Sequence, residues 1–211
     1  FTFAVDFGTT NTHIEYKKDN GDPKPFEIDE SDIQIATLHD PKNPETIKSL
    51  NKILLGKLLI DIIPQEIIPQ EINSKSEFHF PLRTAINSNI NLDIHKETYA
   101  LADFNIPFVY EKYLVAKNAK TRTNLKWSNF KNPNETKVID AYFENLLLLI
   151  RNKVLLNGGD LNKTKLIWLY PSSMTAFRIG ELETKWNTLF KKYINTIQNP
   201  EKLSESIAPF Y

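Results

Sequence analysis

The chain reads as an α/β protein with helices layered on a sheet, and three features predict it. An apolar run from Phe3 to Asp6 passes through a small polar turn into a second alternating run, His13 to Tyr16, which is the pattern of a strand hairpin. A long apolar stretch between residues 138 and 156 carries leucines and isoleucines around most of a helical circumference. The run from Leu166 to Tyr170 then reads as a core strand with a helix behind it, so strand, helix, strand and helix alternate as in α/β layers.

Taken in order, Gly8 to Asn11 form the turn of the opening hairpin, and Asn20-Gly21-Asp22-Pro23 marks another turn before the strand pattern resumes at Phe26. The result is a meander of strands. The acids Glu27, Asp29, Glu30 and Asp32 lack the glycine and the closing glutamate of a calcium loop and read as a solvated strand end. Residues 44–60 carry apolar residues at helical intervals with lysines between them, predicting an amphipathic helix. The tandem Ile-Ile-Pro-Gln-Glu over residues 62–66 and 67–71 cannot continue that helix through its prolines and is read as packing first and as a partner surface second. From 76 to 130, short apolar runs alternate with turns and predict a small, mostly β subdomain, with Lys112, Lys117, Lys120, Arg122 and Lys126 on its solvated edge.

Asn134 or Thr136 is suited to cap the helix predicted from Val138 to Leu156, and Asn157-Gly158-Gly159 should end it with a left-handed residue. Behind the strand 166–170, Phe177, Leu182, Trp186, Leu189, Phe190 and Tyr193 are assigned to one buried helical face.

Composition narrows the function classes. The 26 basic and 26 acidic residues of this 211-residue chain cancel, which argues against long-range attraction to nucleic acid or to an anionic membrane. The longest apolar runs are far shorter than the roughly twenty residues a spanning helix needs. With no cysteine, disulfides and thiolate zinc sites are excluded, a composition compatible with a cytoplasmic protein. His13, His39, His79 and His95 show no metal-ligand spacing.

The chemistry concentrates at the first turn. A glycine allows close backbone approach, the amides and hydroxyls of Thr9, Thr10 and Asn11 are donors for phosphate oxygens, and Asp6 supplies a hard oxygen suited to magnesium. Asp6-Phe7-Gly8 also matches the metal tripeptide of protein kinases, but the upstream glycine-rich loop and the catalytic His-Arg-Asp are absent.

The string Asp6-Phe-Gly8-Thr9-Thr10-Asn11-Thr12 resembles the first phosphate loop of the actin, sugar kinase and heat-shock chaperone superfamily, and is most similar to that of DnaK-type chaperones. Two further segments resemble the same family. The strand before Pro171-Ser-Ser-Met174 is similar to the chaperone strand ending in Val-Pro-Ala, and Ser204-Glu205-Ser206-Ile-Ala208 to the Asn-Glu-Pro-Thr-Ala segment whose helix joins the two lobes. The resemblance implies a ribonuclease H-like, actin-type ATPase lobe, a mixed sheet flanked by helices with an inserted small β-rich subdomain.

Its expected parts are opening strands and a helical insertion over 1–74, a tip subdomain over 75–131, and a closing helix-strand-helix over 132–211. The resemblance further implies ATP/ADP and magnesium as cofactors, with Gly8, Thr9, Thr10 and Asn11 holding phosphates, Asp6 the metal shell, and Glu205 the metal or attacking water. Expected partners are the nucleotide, a second lobe of the same protein, and protein clients or cochaperones. The family's catalytic basic residue belongs to the tip subdomain, where Arg83 and Lys112 are candidates by region alone. A second phosphate loop similar to Asp-x-Gly-Gly-Gly-Thr does not occur, so the chain is expected to be a truncated first lobe, inactive alone. An actin-like or degenerate assembly module, and below it a sugar or carboxylate kinase lobe, are the alternatives. In chaperones an arginine eight residues after the proline takes part in interdomain signalling; here that position is Ile179, with Arg178 one residue short.

Overall fold

The computed structural model describes residues 1–27, 34–37, 65–68, 80–88, 104–106, 120–195 and 197–207. Its strands in chain order are β1 (Thr2–Phe7), β2 (Asn11–Lys17), β3 (Lys24–Pro25), β4 (Gln34–Thr37), β5 (Gln65–Ile68), β6 (Leu82–Arg83), β7 (Ile86–Ser88), β8 (Phe104–Asn105), β9 (Lys120–Arg122), β10 (Lys165–Tyr170) and β11 (Glu201–Ser204). Helices α1 (Pro133–Leu156) and α2 (Ala176–Tyr193) flank β10 in sequence.

β1 alternates strictly, with Phe3, Val5 and Phe7 buried and Thr2, Ala4 and Asp6 half-buried on the opposite side. Its antiparallel pairing with β2 sets Phe3 beside Tyr16, Val5 beside Ile14 and Phe7 beside Thr12, so one face collects the apolar residues of both strands. β10 runs parallel to β1 on the other edge and adds Leu166 and Trp168 to that face. The main sheet has the order β11-β10-β1-β2-β3, with β6 paired to the far edge of β2. It is therefore mixed: β1, β2 and β3 form the antiparallel meander, and β10 and β11 run parallel to β1.

Helix α1 covers the apolar face. Phe143 packs edge-on against Phe7 with ring centroids 4.9 Å apart and stacks on Trp186 of α2 at 4.2 Å, so α1 lies between the sheet and α2. This accounts for its nearly all-round apolarity, as expected. The α1–α2 seam is closed at its edge by Lys185 to Asp140, and by Lys192 and Tyr193, both donating to Glu144. Lys153 is buried yet satisfied, its ammonium donating to the Glu27 carbonyl at 2.8 Å and lying over the Tyr16 and Phe26 rings.

One boundary and one buried-face assignment differ from expectation. α1 begins at Pro133, not Val138, and its cap is Asn132, whose side chain accepts from the Asn134 amide at 3.0 Å. Proline in the first turn needs no amide partner, and Glu135 accepts from the Asn132 side chain and from the Asn129 amide, so a polar segment without periodic apolar residues is drawn into the helix by capping. On α2, Leu182, Trp186, Leu189 and Phe190 are buried as expected, but Phe177 is 64% exposed. At about 100° per residue Phe177 lies about 140° around the helix from Leu182, off the buried stripe. The left-handed stop of α1 is at Gly158, with φ of 68°.

Two smaller sheets complete the described residues. β7 pairs antiparallel with β8 and β9 in the order β8-β7-β9, within the segment expected to be a small β subdomain. β4 pairs antiparallel with β5, which is the middle of the Ile-Ile-Pro-Gln-Glu tandem, so part of that repeat serves as a strand. The helix expected over 44–60 lies outside the described residues. No helix among the described residues is long and apolar enough to cross a membrane.

Trp186 is fully buried at the junction of α1 and α2. Trp186→Ala is expected to lower unfolding free energy by about 3–5 kcal/mol, measured by urea denaturation.

Candidate functional site

The turn between β1 and β2 is open to solvent: Thr9, Thr10 and Asn11 are exposed, as a ligand loop requires. Gly8 is needed for a reason internal to the chain, since a Cβ there would run into the Asn11 carbonyl oxygen. The glycine thus closes the hairpin, in addition to any approach it permits to a ligand. Behind the turn, Thr84 holds two of its carbonyls. The Thr84 amide donates to Thr10 O at 2.8 Å and the Thr84 hydroxyl to Gly8 O at 2.8 Å. In front of it, the Trp127 indole N–H donates to the Thr9 hydroxyl at 2.9 Å. A cleft of about 280 Å³ opens beside the turn, walled by Thr9, Thr10, Arg83, Thr84 and Asn124.

Asp6 lies one residue before the end of β1, on the sheet face turned away from α1. Glu205 follows β11, and its amide donates to the Tyr170 carbonyl at 2.8 Å, which pins it at the C-terminal end of β10. The segment from Ser204 was expected to be helical. Instead β11 ends at Ser204 and Glu205 to Ile207 form a turn, because 201–204 completes the sheet edge as a parallel strand. Ala208 to Tyr211 lie outside the described residues.

The third member of the cluster is Lys126. It was assigned to a solvated edge, yet it is only 3% exposed and its ammonium is 3.1 Å from Glu205 Oε1. A 3-10 turn over Leu125–Trp127 turns this lysine inward. The turn is anchored by Arg178, which donates to the Ser128 carbonyl at 2.5 Å and sits 4.7 Å from the Phe130 ring centroid. Arg178 therefore serves this neighbouring segment.

Asp6 holds its proton above the ordinary carboxyl range. Burial is the main cause and the negative charge of Glu205 adds to it, while Lys126 and His13 oppose it. Two carboxylates facing one lysine leave an excess of negative charge, which a cation would relieve. Among the described residues no group of three or more acidic or histidine side chains forms a metal cage. Asp6 and Glu205 supply carboxylate oxygens, the donors that magnesium takes while keeping much of its water.

The structure thus brings together Asp6, the turn Gly8 to Asn11, and Glu205. Arg83 lines the cleft beside Thr9 and Thr10, a wall to which Asp6 and Glu205 do not contribute, while Lys112 lies outside the described residues. Thr84, Lys126 and Trp127 are additions. The only sequence signal for Lys126 is a lysine between two large apolar residues, Leu125 and Trp127; Thr84 carries none beyond its place in an apolar run.

No family model matches the chain, and no curated protein and no solved structure matches it.

Above the ordinary carboxyl value of 3.8 the unfolded chain releases the Asp6 proton while the folded chain still retains it, so this group costs stability as pH rises through that interval. Asp6→Asn should raise Tm at neutral pH, and the gain should vanish by about pH 3, where both states are protonated. Thermal melts of both proteins across that range measure it. A Cβ at position 8 should cost on the order of 1–3 kcal/mol, read from denaturation of Gly8→Ala.

Proposed function

We propose that this chain forms the first lobe of an actin-type, DnaK-like ATPase domain, with the turn Gly8 to Asn11 as the cradle for the β and γ phosphates of ATP. The observation carrying this reading is the convergence of Asp6, Glu205 and Lys126, from three distant segments, near an exposed turn of glycine, threonines and asparagine. The antiparallel meander joined to two parallel strands, with α1 on the sheet and α2 on α1, agrees with the lobe architecture that the resemblance implies.

In phosphoryl transfer a protein chiefly positions groups and neutralises charge. Asp6 and Glu205 would hold magnesium through oxygen and water, and the ion would supply positive charge to the phosphates. The amides and hydroxyls of Thr9, Thr10 and Asn11 orient the terminal phosphoryl group. Lys126 fits the part of the basic residue from the tip subdomain: it is buried, anchored, and shares Glu205 with the proposed metal shell. The adenosine and the second phosphate loop belong to an opposite wall contributed by a second lobe, and clients or cochaperones would act on the complete domain.

A nonenzymatic assembly module is the second reading. The Lys126–Glu205 ion pair favours it, because it engages the carboxylate that would otherwise orient water. ATP turnover by the complete protein separates the two: Asp6→Ala and Glu205→Ala abolish turnover and function in an ATPase, and leave function intact in an assembly module.

Losing one wall of a cleft removes on the order of 4 kcal/mol, or about a thousandfold in affinity. Isothermal titration of this chain should therefore show weak, magnesium-dependent ATP binding that Asp6→Ala removes, with no measurable hydrolysis. Submicromolar binding, or binding indifferent to both magnesium and Asp6, would reject the proposal.

A further inference from the structure

Three hydroxyls connect the interior of α1 to the turn. Tyr142 Oη lies 2.7 Å from Thr12 Oγ1, Thr12 Oγ1 lies 2.8 Å from Thr84 Oγ1, and Thr84 Oγ1 lies 2.8 Å from the Gly8 carbonyl oxygen. All three side chains are sealed from solvent, with Tyr142 and Thr12 at 0% and Thr84 at 1% exposure. Each hydroxyl has one hydrogen to donate, and a carbonyl has none. The contact with Gly8 O therefore uses the Thr84 hydrogen. Thr84 must then accept from Thr12, and Thr12 from Tyr142. Every hydrogen points toward the turn. Burial holds the Tyr142 hydroxyl above its usual ionisation range, so the first donor of the series stays protonated.

The consequence falls on the next residue. Gly8 C=O and Thr9 N–H belong to one planar trans peptide and point in opposite directions. With the carbonyl drawn inward to Thr84, the amide is directed outward on an exposed residue. A hydrogen bond accepted at the oxygen of a peptide polarises its N–H, and a series of aligned hydroxyls strengthens each successive bond. The Thr84 amide restrains the same turn a second time through Thr10 O.

We infer that Tyr142, Thr12 and Thr84 form a one-way hydrogen-bond relay that makes Thr84 a positioning residue of the turn, aiming and strengthening the Thr9 amide as a donor to a phosphate oxygen. The ligand part of this inference rests on the phosphate-binding reading above; the relay itself does not. Tyr142 is hydrogen-bonded to Thr12, and Thr84 acts on its hydroxyl as well, so both threonines tie it to the turn, at the cost of burying three polar groups that an apolar core would replace more simply.

Nuclear magnetic resonance on the nitrogen-15-labelled chain tests both parts, using Thr84→Val, Thr84→Ser and Tyr142→Phe. Without ligand, the Thr9 amide proton should move upfield in Thr84→Val and, by a smaller step, in Tyr142→Phe, and return close to the native position in Thr84→Ser. A role in packing alone would leave Thr9 unmoved in Tyr142→Phe, and that result overturns the relay; this variant decides the question if Thr84→Val does not fold. On titration with magnesium pyrophosphate, the Thr9 amide should shift, with affinity about tenfold weaker in Thr84→Val and within about twofold of native in Thr84→Ser. Equal affinity in native and Thr84→Val proteins overturns the positioning role. A native Thr9 amide indifferent to pyrophosphate, with the ligand-free shifts as expected, rejects phosphate binding and leaves the relay standing.

Discussion

The burial of Phe3, Val5 and Phe7 beneath α1 determines the pleat of β1, and the pleat leaves no choice about Asp6. Side chains of a strand alternate in direction, so a carboxylate between Val5 and Phe7 must emerge on the face that α1 does not cover. Each large apolar side chain buried there contributes about 2 kcal/mol, and a slip of one residue would forfeit all of them while driving the acid into the core. The catalytic candidate is thus held in place by hydrophobic side chains on the opposite face of its own strand.

The same sheet gathers the remaining groups at one end. β10 and β11 run parallel to β1, so Glu205, just past β11 and bonded to Tyr170, comes to the end of the sheet where β1 delivers Asp6 and the turn. Lys126 arrives from a different direction, on a short turn before α1. That turn has its own supports: Arg178 from α2, and the network of Asn129, Asn132 and Glu135 that caps α1. Helix capping and site assembly are therefore one structural problem in this chain, since both depend on the conformation of 124–135.

The electrostatics run against stability. Placing Asp6 in a half-buried position near a second carboxylate raises its proton affinity, which is unfavourable to the fold at neutral pH and favourable to cation binding. The relay of buried hydroxyls has the same character. Both are polar arrangements that a core optimised only for packing would omit, and both converge on the turn at Gly8.

The α/β class, the opening hairpin, the strand at 166–170 and the long helix with its glycine stop were legible in the sequence, because period-two and period-3.6 patterns report directly which face of an element is buried. The adjacency of Asp6 and the turn was legible because they are contiguous, whereas Glu205 was singled out by a resemblance that implied a helix where the chain forms a turn. The start of α1 was hidden, since Asn132, Pro133 and Glu135 act through capping rather than apolar periodicity. Lys126 and Thr84 were hidden more deeply. A lysine beside a tryptophan looks solvated until a tertiary fold places a carboxylate opposite it, and a threonine in an apolar run gains meaning only when two turn carbonyls and another hydroxyl lie within hydrogen-bonding distance. Periodicity determines the face a residue takes; only the packed chain decides which distant residue meets it there.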